Sequence, residues 1–383
     1  MGRRLVLLAL TATAAVGGVP LHARPAAAAG PASLVLDGHG NGHGYGLSQW
    51  GAYGYAVDRG WNANQILDHY YSGTVAALVP DTTMISVRLQ TLDNLQTAVV
   101  SSTGGLTVGG VVGGPWKSVV ARLVSAAGAP AVYSVWGRTD AEVCPAATDT
   151  LTAGWTLLNA AIATKVDIAT TADSIATTQF TDLAAVCEPT GRVRSYRGSI
   201  RAVTGSVGEI RTVNVLPLEQ FVRSVTAMEV SPSWGNAGGG AGLQAIAAQS
   251  IASRTFALAY KWNTYADVCD RMCEAYFGVG SRATLTSPFV RVEHPTTDAV
   301  VAMTKGQVRR VGSATGVFAL TMYAASTGGW TRTGTGANMP FAAVEDLGDS
   351  TPLNPYYQWS VTIPAATIVA KYPALGVYSR MVV

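Results

Sequence analysis

At 383 residues the chain is long enough for one large domain or two moderate ones. Its composition is 48% hydrophobic and 13% charged, with 42 glycines, which excludes a disordered or fibrous protein and fits a loop-rich globular one. The formal charge is +3, but Arg3, Arg4 and Arg24 all fall in the first 29 residues, where there is no acid. The remainder is neutral, so nothing electrostatic points to a nucleic-acid partner.

In chain order, Arg3 and Arg4 precede an apolar run from Leu5 to Leu10, and small residues then lead to four alanines at 26–29. This is the layout of a secretory signal peptide, 1–29, and it implies export. The run is too short to span a bilayer and no later stretch qualifies, so no integral membrane segment is expected after cleavage. Residues 30–383 read as one domain: an opening helical motif at 38–74, a mainly β region at 83–210 and a core segment at 211–345. The apolar run before Val383 predicts that the domain continues.

The opening motif is GHGNGHGYGLSQWGAYGYAVDRGWNANQILDHYYSGT. Its glycine run must be a loop, which removes the helical geometry that His39 and His43 would need as paired metal ligands. Ser48 suits the N-cap of a helix over about 49–59, closed by Gly60. Asn62 with Gln65 forms a capping-box variant that starts a second helix through about Tyr70. Strands follow at Ile85–Leu89 and Ser195–Arg201, with glycine turns at 104–105 and 109–110. The Ala/Thr-rich stretch 145–180 has weak periodicity and reads as an elaboration on the sheet.

From Asn214 to Tyr260 two helices are predicted, joined by a glycine-rich loop at 235–242. Pro217 fits a first helical turn, and Leu218, Phe221, Val222 and Val225 make one apolar stripe. Glu229 stands between Met228 and Val230 where that helix ends. The second helix, about 243–260, carries Arg254 as its lone charge, so Arg254 needs an anionic partner or ligand, with Glu229 the nearest candidate. Four cysteines in an exported chain favour disulfides, with Cys144–Cys187 and Cys269–Cys273 the local pairing. A zinc site at Cys269 and Cys273 is the competing reading, but CDRMCEAYFG supplies no histidine, and no metal is expected.

The segments VLPLEQFVRSVTAMEV and LQAIAAQSIASRTFALAY resemble the core motif of the SpoIID/LytB family, named for stage II sporulation protein D and an amidase enhancer. The matching positions are Leu216, Pro217, Leu218, Glu219, Glu229, Val230, Arg254 and Thr255. Ser231 intervenes where the family usually has proline, and the 235–242 loop is longer than usual. Tyr196-Arg197-Gly198 leading to Val213-Asn214 resembles the family's approach to this core. GHGYGLSQWGA, with His43, resembles a second family motif that usually closes the domain and here opens it. Tyr323 to Thr331 resembles its serine-glycine-glycine loop.

The resemblance implies an α+β fold, a strand-rich body with a helical catalytic segment, and a secreted or cell-wall protein. It also implies cleavage of peptidoglycan glycan strands, especially those stripped of stem peptides, by lytic transglycosylation. Glu229 would be the general acid/base, in apolar surroundings from Met228, Val230 and Trp234. His43, Ser48, Gln49, Arg254 and Ser326 are the expected substrate contacts, although His43 reads equally as a histidine bonded to backbone in a tight loop. No cofactor is required. Two other functions remain open. One is a wall-binding enhancer of an autolytic amidase, using Trp50, Tyr53, Tyr55, Trp61, Tyr70 and Tyr71 as a stacking surface. The other is a hydrolase, with Asp267 or Asp270 as a second carboxylate facing Glu229. Serine-hydrolase and nucleotide-binding motifs are lacking, since GNAGGGAG has no lysine.

Overall fold

The computed structural model describes residues 32–375 except 127, 207 and 262; the expected signal peptide lies outside them. One unit contains the ends of the described chain, where Ser33–Gly38 pairs with Trp359–Pro364 and a helix follows at Ala365–Lys371. The other unit, His39–Trp359, holds every element labelled below.

Its chain opens with a two-residue strand β1 (Leu47–Ser48) and helices α1 (Gln49–Val57) and α2 (Ala63–Tyr70). Ser48 Oγ accepts the Gly51 N–H, and Asn62 and Gln65 form a reciprocal capping box, so both starts are fixed by side chains that satisfy otherwise orphaned donors. Strands β2 (Thr74–Leu78), β3 (Met84–Arg88), β4 (Thr97–Val100), β5 (Leu106–Val108), β6 (Ser118–Leu123), β7 (Val132–Arg138), β8 (Thr156–Ala163) and β9 (Lys165–Thr170) come next. After them are β10 (Ala184–Cys187), β11 (Val193–Tyr196), β12 (Ser199–Thr204) and β13 (Ile210–Pro217). The core helices are α3 (Leu218–Glu229) and α4 (Leu243–Ala259). The unit closes with β14 (Val268–Cys269), β15 (Gly280–Arg282), β16 (Phe289–Arg291), α5 (Pro295–Met303), β17 (Gln307–Val311) and β18 (Tyr323–Ala324). No helix among the described residues is long and apolar enough to cross a membrane.

The architecture is α+β. One sheet has the order β14-β3-β13-β12-β9-β5 and another β16-β15-β11-β10-β4-β6-β7-β8. Alternation in β3 and β13 puts Ile85, Val87 and Leu216 into a core shared with Val99, Val119, Val166 and Ile168. The weakly periodic 145–180 stretch is therefore no surface elaboration. It contributes β9, hydrogen-bonded between β12 and β5, and Val166 and Ile168 are fully buried. Within it only Lys165–Thr170 alternates, with Val166 and Ile168 inward, and the Ala/Thr-rich residues around it masked that short strand.

Helix α3 starts directly from β13, with Pro217 at its N-cap rather than inside its first turn. Its stripe of Leu218, Phe221, Val222 and Val225 is buried in the same core, each side chain contributing roughly 1.5–3 kcal/mol. A second core joins α1, α2 and α4 through Tyr55, Ile66, Leu67, Ile246, Ala248 and Ile251. Helices α3 and α4 run antiparallel, with Thr226 and Ser250 hydroxyls in contact at 3.2 Å. Arg197 pairs with Glu293, which also meets Arg223, tying β11 and α3 to the start of α5. Asn214 donates to the Arg197 and Ser199 carbonyls and accepts from the Tyr276 hydroxyl, which accounts for the Tyr196–Gly198 and Asn214 pattern as scaffold.

Candidate active site

Glu229 is the last residue of α3, and the chain turns extended at Val230. Its carboxylate is partly exposed and held by donors from two directions. Gln49 Nε2 donates to Oε2 at 3.1 Å, and the Ala275 backbone N–H donates to Oε1 at 3.0 Å. The Tyr323 hydroxyl is also within hydrogen-bonding reach. Burial pushes the Glu229 pKa above the ordinary glutamate value, against the Ala275, Gln49 and Tyr323 donors that draw it down. The outcome is a carboxyl that keeps its proton at higher pH than a free glutamate.

The opening motif reaches this point because it is stitched to residues 322–332. β1 and β18 pair in parallel, Tyr323 opposite Leu47, and Asn41 bridges Ser326. Gly46, at φ +65°, lies against the Met322 carbonyl and the Tyr71 ring, where a Cβ would collide with both. Inside α1, Gly54 packs on the Gly348 carbonyl, so glycine's helix cost of about 1 kcal/mol is accepted for close approach. Gln49, first residue of α1, is thereby aimed at Glu229.

A buried acid, Asp349, clamps the assembly. It accepts from the Ser48 and Ser326 hydroxyls at 2.7 Å each, the Gly328 N–H at 2.7 Å and the Asn354 amide at 3.0 Å. Next to it Asp346 accepts from the Tyr70 and Thr327 hydroxyls. Burial pushes the Asp346 carboxyl up to about 7, against those two hydroxyls, with Asp349 adding to the rise. An unfolded Asp titrates near about 4, so between roughly pH 4 and 7 the folded state holds a proton that the unfolded state has lost. Stability is therefore expected to fall as pH rises through that window. Melting temperatures across it should fall less steeply for Asp346→Asn; an unchanged slope would show that Asp346 does not carry this proton.

Several expected substrate contacts are engaged by partners inside the protein. Arg254 is 0% exposed and forms a two-pronged pair with Glu219, Nε and Nη2 at 2.9 and 2.7 Å, and donates to the Gln307 carbonyl. It pairs with neither Glu229 nor anything outside, so no guanidinium lowers the Glu229 pKa. Ser48 and Ser326 are buried on Asp349 rather than open to a sugar. His43 accepts the Tyr45 N–H at Nδ1 and hydrogen-bonds the Tyr323 backbone, and burial keeps its pKa low. Both contacts are to backbone, as the brace reading expects. Gln49 alone of the expected contacts outside α3 reaches Glu229.

The surroundings also differ in detail. Met228 is 44% exposed and turns outward, whereas Val230 is buried. Trp50, Tyr53 and Trp234 form an aromatic triangle with ring centroids 5.0–5.5 Å apart. Trp50 and Trp234 are partly exposed beside Gln49 and Glu229 in sequence, but Tyr53, Tyr55, Tyr70 and Tyr71 are core residues and offer no stacking face. Asp267 is engaged with Ser86 and Lys261, and Asp270 with the Gln90 N–H, so neither faces Glu229. Cys144 is bonded to Cys187, and Cys269 to Cys273, with Cα separations of 5.6 and 5.2 Å. Both thiols of the zinc reading are thus consumed. No cluster of metal-ligating side chains occurs among the described residues.

Sequence reading missed Ala275, Tyr323, Asp349 and Glu274. Tyr323 opens the serine-glycine-glycine loop and so carries a signal; Glu274 carries none beyond following the short loop closed by Cys269 and Cys273.

Residues 206–310 match the SpoIID family model, described as stage II sporulation protein. That stretch includes Glu229, Arg254 and Glu274, while Gln49 and Tyr323 lie outside it. Neither the curated proteins nor the solved structures give a match.

Proposed function

We propose that this chain, whose residues 206–310 match the SpoIID family model, is an exported lytic transglycosylase that cleaves peptidoglycan glycan strands. The family match supports a peptidoglycan-related role at the cell wall. The observation that carries the finer reading is Glu229, a half-buried carboxyl of raised pKa, gripped by Gln49 and Ala275 without any cation.

Such a group serves both halves of the reaction. Protonated, Glu229 gives its proton to the glycosidic oxygen as the bond from the anomeric carbon breaks and its electron pair leaves with that oxygen. The carboxylate then takes the proton of the N-acetylmuramic acid 6-hydroxyl while that oxygen bonds to the anomeric carbon. A 1,6-anhydro end forms, Glu229 is protonated again, and no water is consumed. Gln49 and Ala275 stabilise the intermediate carboxylate, and Trp50 and Trp234 offer apolar ring surface for sugar faces.

A hydrolase would need a second carboxylate across the sugar to activate water. Asp267 and Asp270 are engaged elsewhere and Glu274 is 3% exposed, which supports the internal nucleophile. Incubation with purified glycan freed of stem peptides, read by mass spectrometry, tests the proposal. Anhydro ends are expected; reducing ends would favour the hydrolase, and glycan altered only when an amidase is added would favour the enhancer.

A further inference from the structure

Behind Glu229 lies a second acid. Glu274 follows the disulfide-closed loop Cys269–Cys273 and precedes Ala275, the residue that holds Glu229. Its side chain is buried, with Oε1 2.8 Å from the Tyr323 hydroxyl and Oε2 without a partner among the described residues. The charge beside it is Glu229, another acid. The Tyr323 hydroxyl oxygen also lies 3.3 Å from Ser253 Oγ, and Ser253 accepts from Gln249 Nε2 at 3.0 Å. One phenolic proton thus stands between two carboxyl groups, and a phenol donates only once.

Which acid receives that proton follows from burial. An ionised Glu274 would be a charge out of water, beside a like charge, with only hydroxyls among the described residues, those of Tyr323 and Ser253, to stabilise it. A neutral Glu274 leaves only a bare carbonyl oxygen unpaired, while its O–H is donated to the Tyr323 oxygen. Burial favours that protonated form, as does Glu229 nearby, over the opposing Tyr323 and Ser253 hydrogen bonds. The Tyr323 oxygen then accepts from Glu274 and Ser253, and its own hydrogen is left for Glu229.

We propose that Glu274 is a positioning residue kept as a neutral acid, and that through Tyr323 it directs a fixed hydroxyl donor onto Glu229. For its chemistry this rests on the transglycosylase reading; for its proton positions it rests on the geometry. The donor is needed most when Glu229 is a carboxylate, after the leaving oxygen has taken its proton and before the 6-hydroxyl returns one. Titratable groups facing Glu229 are Tyr323 from β18 and Glu274 from the loop after β14; α1 contributes the neutral Gln49 to Glu229, and α4 the neutral Ser253 to Tyr323. Arg254 of α4 is committed to Glu219.

The test is a carboxyl-carbon NMR titration of the full chain labelled at glutamate, with Glu229→Gln and Glu274→Gln variants to assign the two signals. Glu274 is expected to keep its protonated shift well above the pH at which a free glutamate ionises. Tyr323→Phe should raise the Glu229 midpoint by roughly half a unit to one unit, because a donor to the carboxylate is lost. Glu274→Gln should leave that midpoint within a few tenths, since one neutral group replaces another. A Glu274 signal that ionises in the ordinary glutamate range, or a Glu229 midpoint lowered by about a unit or more in Glu274→Gln, would overturn the proposal.

Kinetics supply the second readout. Tyr323→Phe and Glu274→Ala should lower kcat by roughly 10–100-fold with KM little changed. Glu274→Gln should recover most of the loss caused by alanine; a Gln variant as impaired as the Ala variant would contradict the neutral-donor role. If the native chain forms no anhydro product, the transglycosylase reading fails, while the NMR midpoints still decide the proton positions.

Discussion

Glu229→Gln is expected to lower anhydro-product formation roughly 10²–10⁴-fold, the range for losing a general acid/base. The amide keeps the size of the side chain, and its carbonyl can accept the Ala275 N–H that now reaches Oε1 at 3.0 Å. Gln49 needs only to turn its own amide to keep a partner. Fold and glycan binding should therefore survive, visible as an unchanged melting temperature and retained pull-down with wall glycan. What disappears is the proton, which an amide cannot deliver to a leaving oxygen. Undiminished product from the folded variant would remove Glu229 from this role.

Arg254→Ala should be the most destabilising single change, by roughly 3–5 kcal/mol, because it strands Glu219 without its charge partner at a buried helix contact. Glu219 would keep the Gly306 N–H at 3.0 Å but lose both guanidinium bonds. Denaturant unfolding gives the number; a loss below about 1 kcal/mol would mean that the pair does not fasten α3 to α4. Glu219→Gln combined with Arg254→Met should recover much of the loss, since an uncharged pair leaves no orphaned ion. The milder Arg254→Lys should weaken the fold through its lost second prong while leaving the KM for glycan unchanged, as expected of a side chain with no exposed surface.

Local rules made much of the site legible. Ser48 and the Asn62–Gln65 pair cap the helices they were expected to cap, and the 218–225 stripe faces the core. Glu229 stands out because a carboxylate sits at the end of that stripe. Arg254 pairs with Glu219 rather than Glu229, because nearness along the chain is a poor guide across a helical hairpin. With Thr226 facing Ser250, the antiparallel register puts Arg254 one turn on, beside the first turn of α3 and Glu219. Glu229, about 15 Å away along α3, is at the other end. The hydroxyls of Ser48 and Ser326 were read as sugar contacts because nothing in the sequence ties them to Asp349, which lies 301 and 23 residues away. The Glu274–Tyr323 contact likewise depends on the β1–β18 pairing, which is decided only when the whole unit folds. Long-range polar pairing, not local propensity, is what one sequence leaves open.

The most direct measurement of the central claim, that Glu229 closes the sugar on its own 6-hydroxyl without water, is digestion of denuded glycan in oxygen-18 water. Products free of the heavy isotope, ending in anhydro sugars, are expected from the native chain. New ends carrying one oxygen-18 atom, made by the same Glu229-dependent reaction, would contradict it.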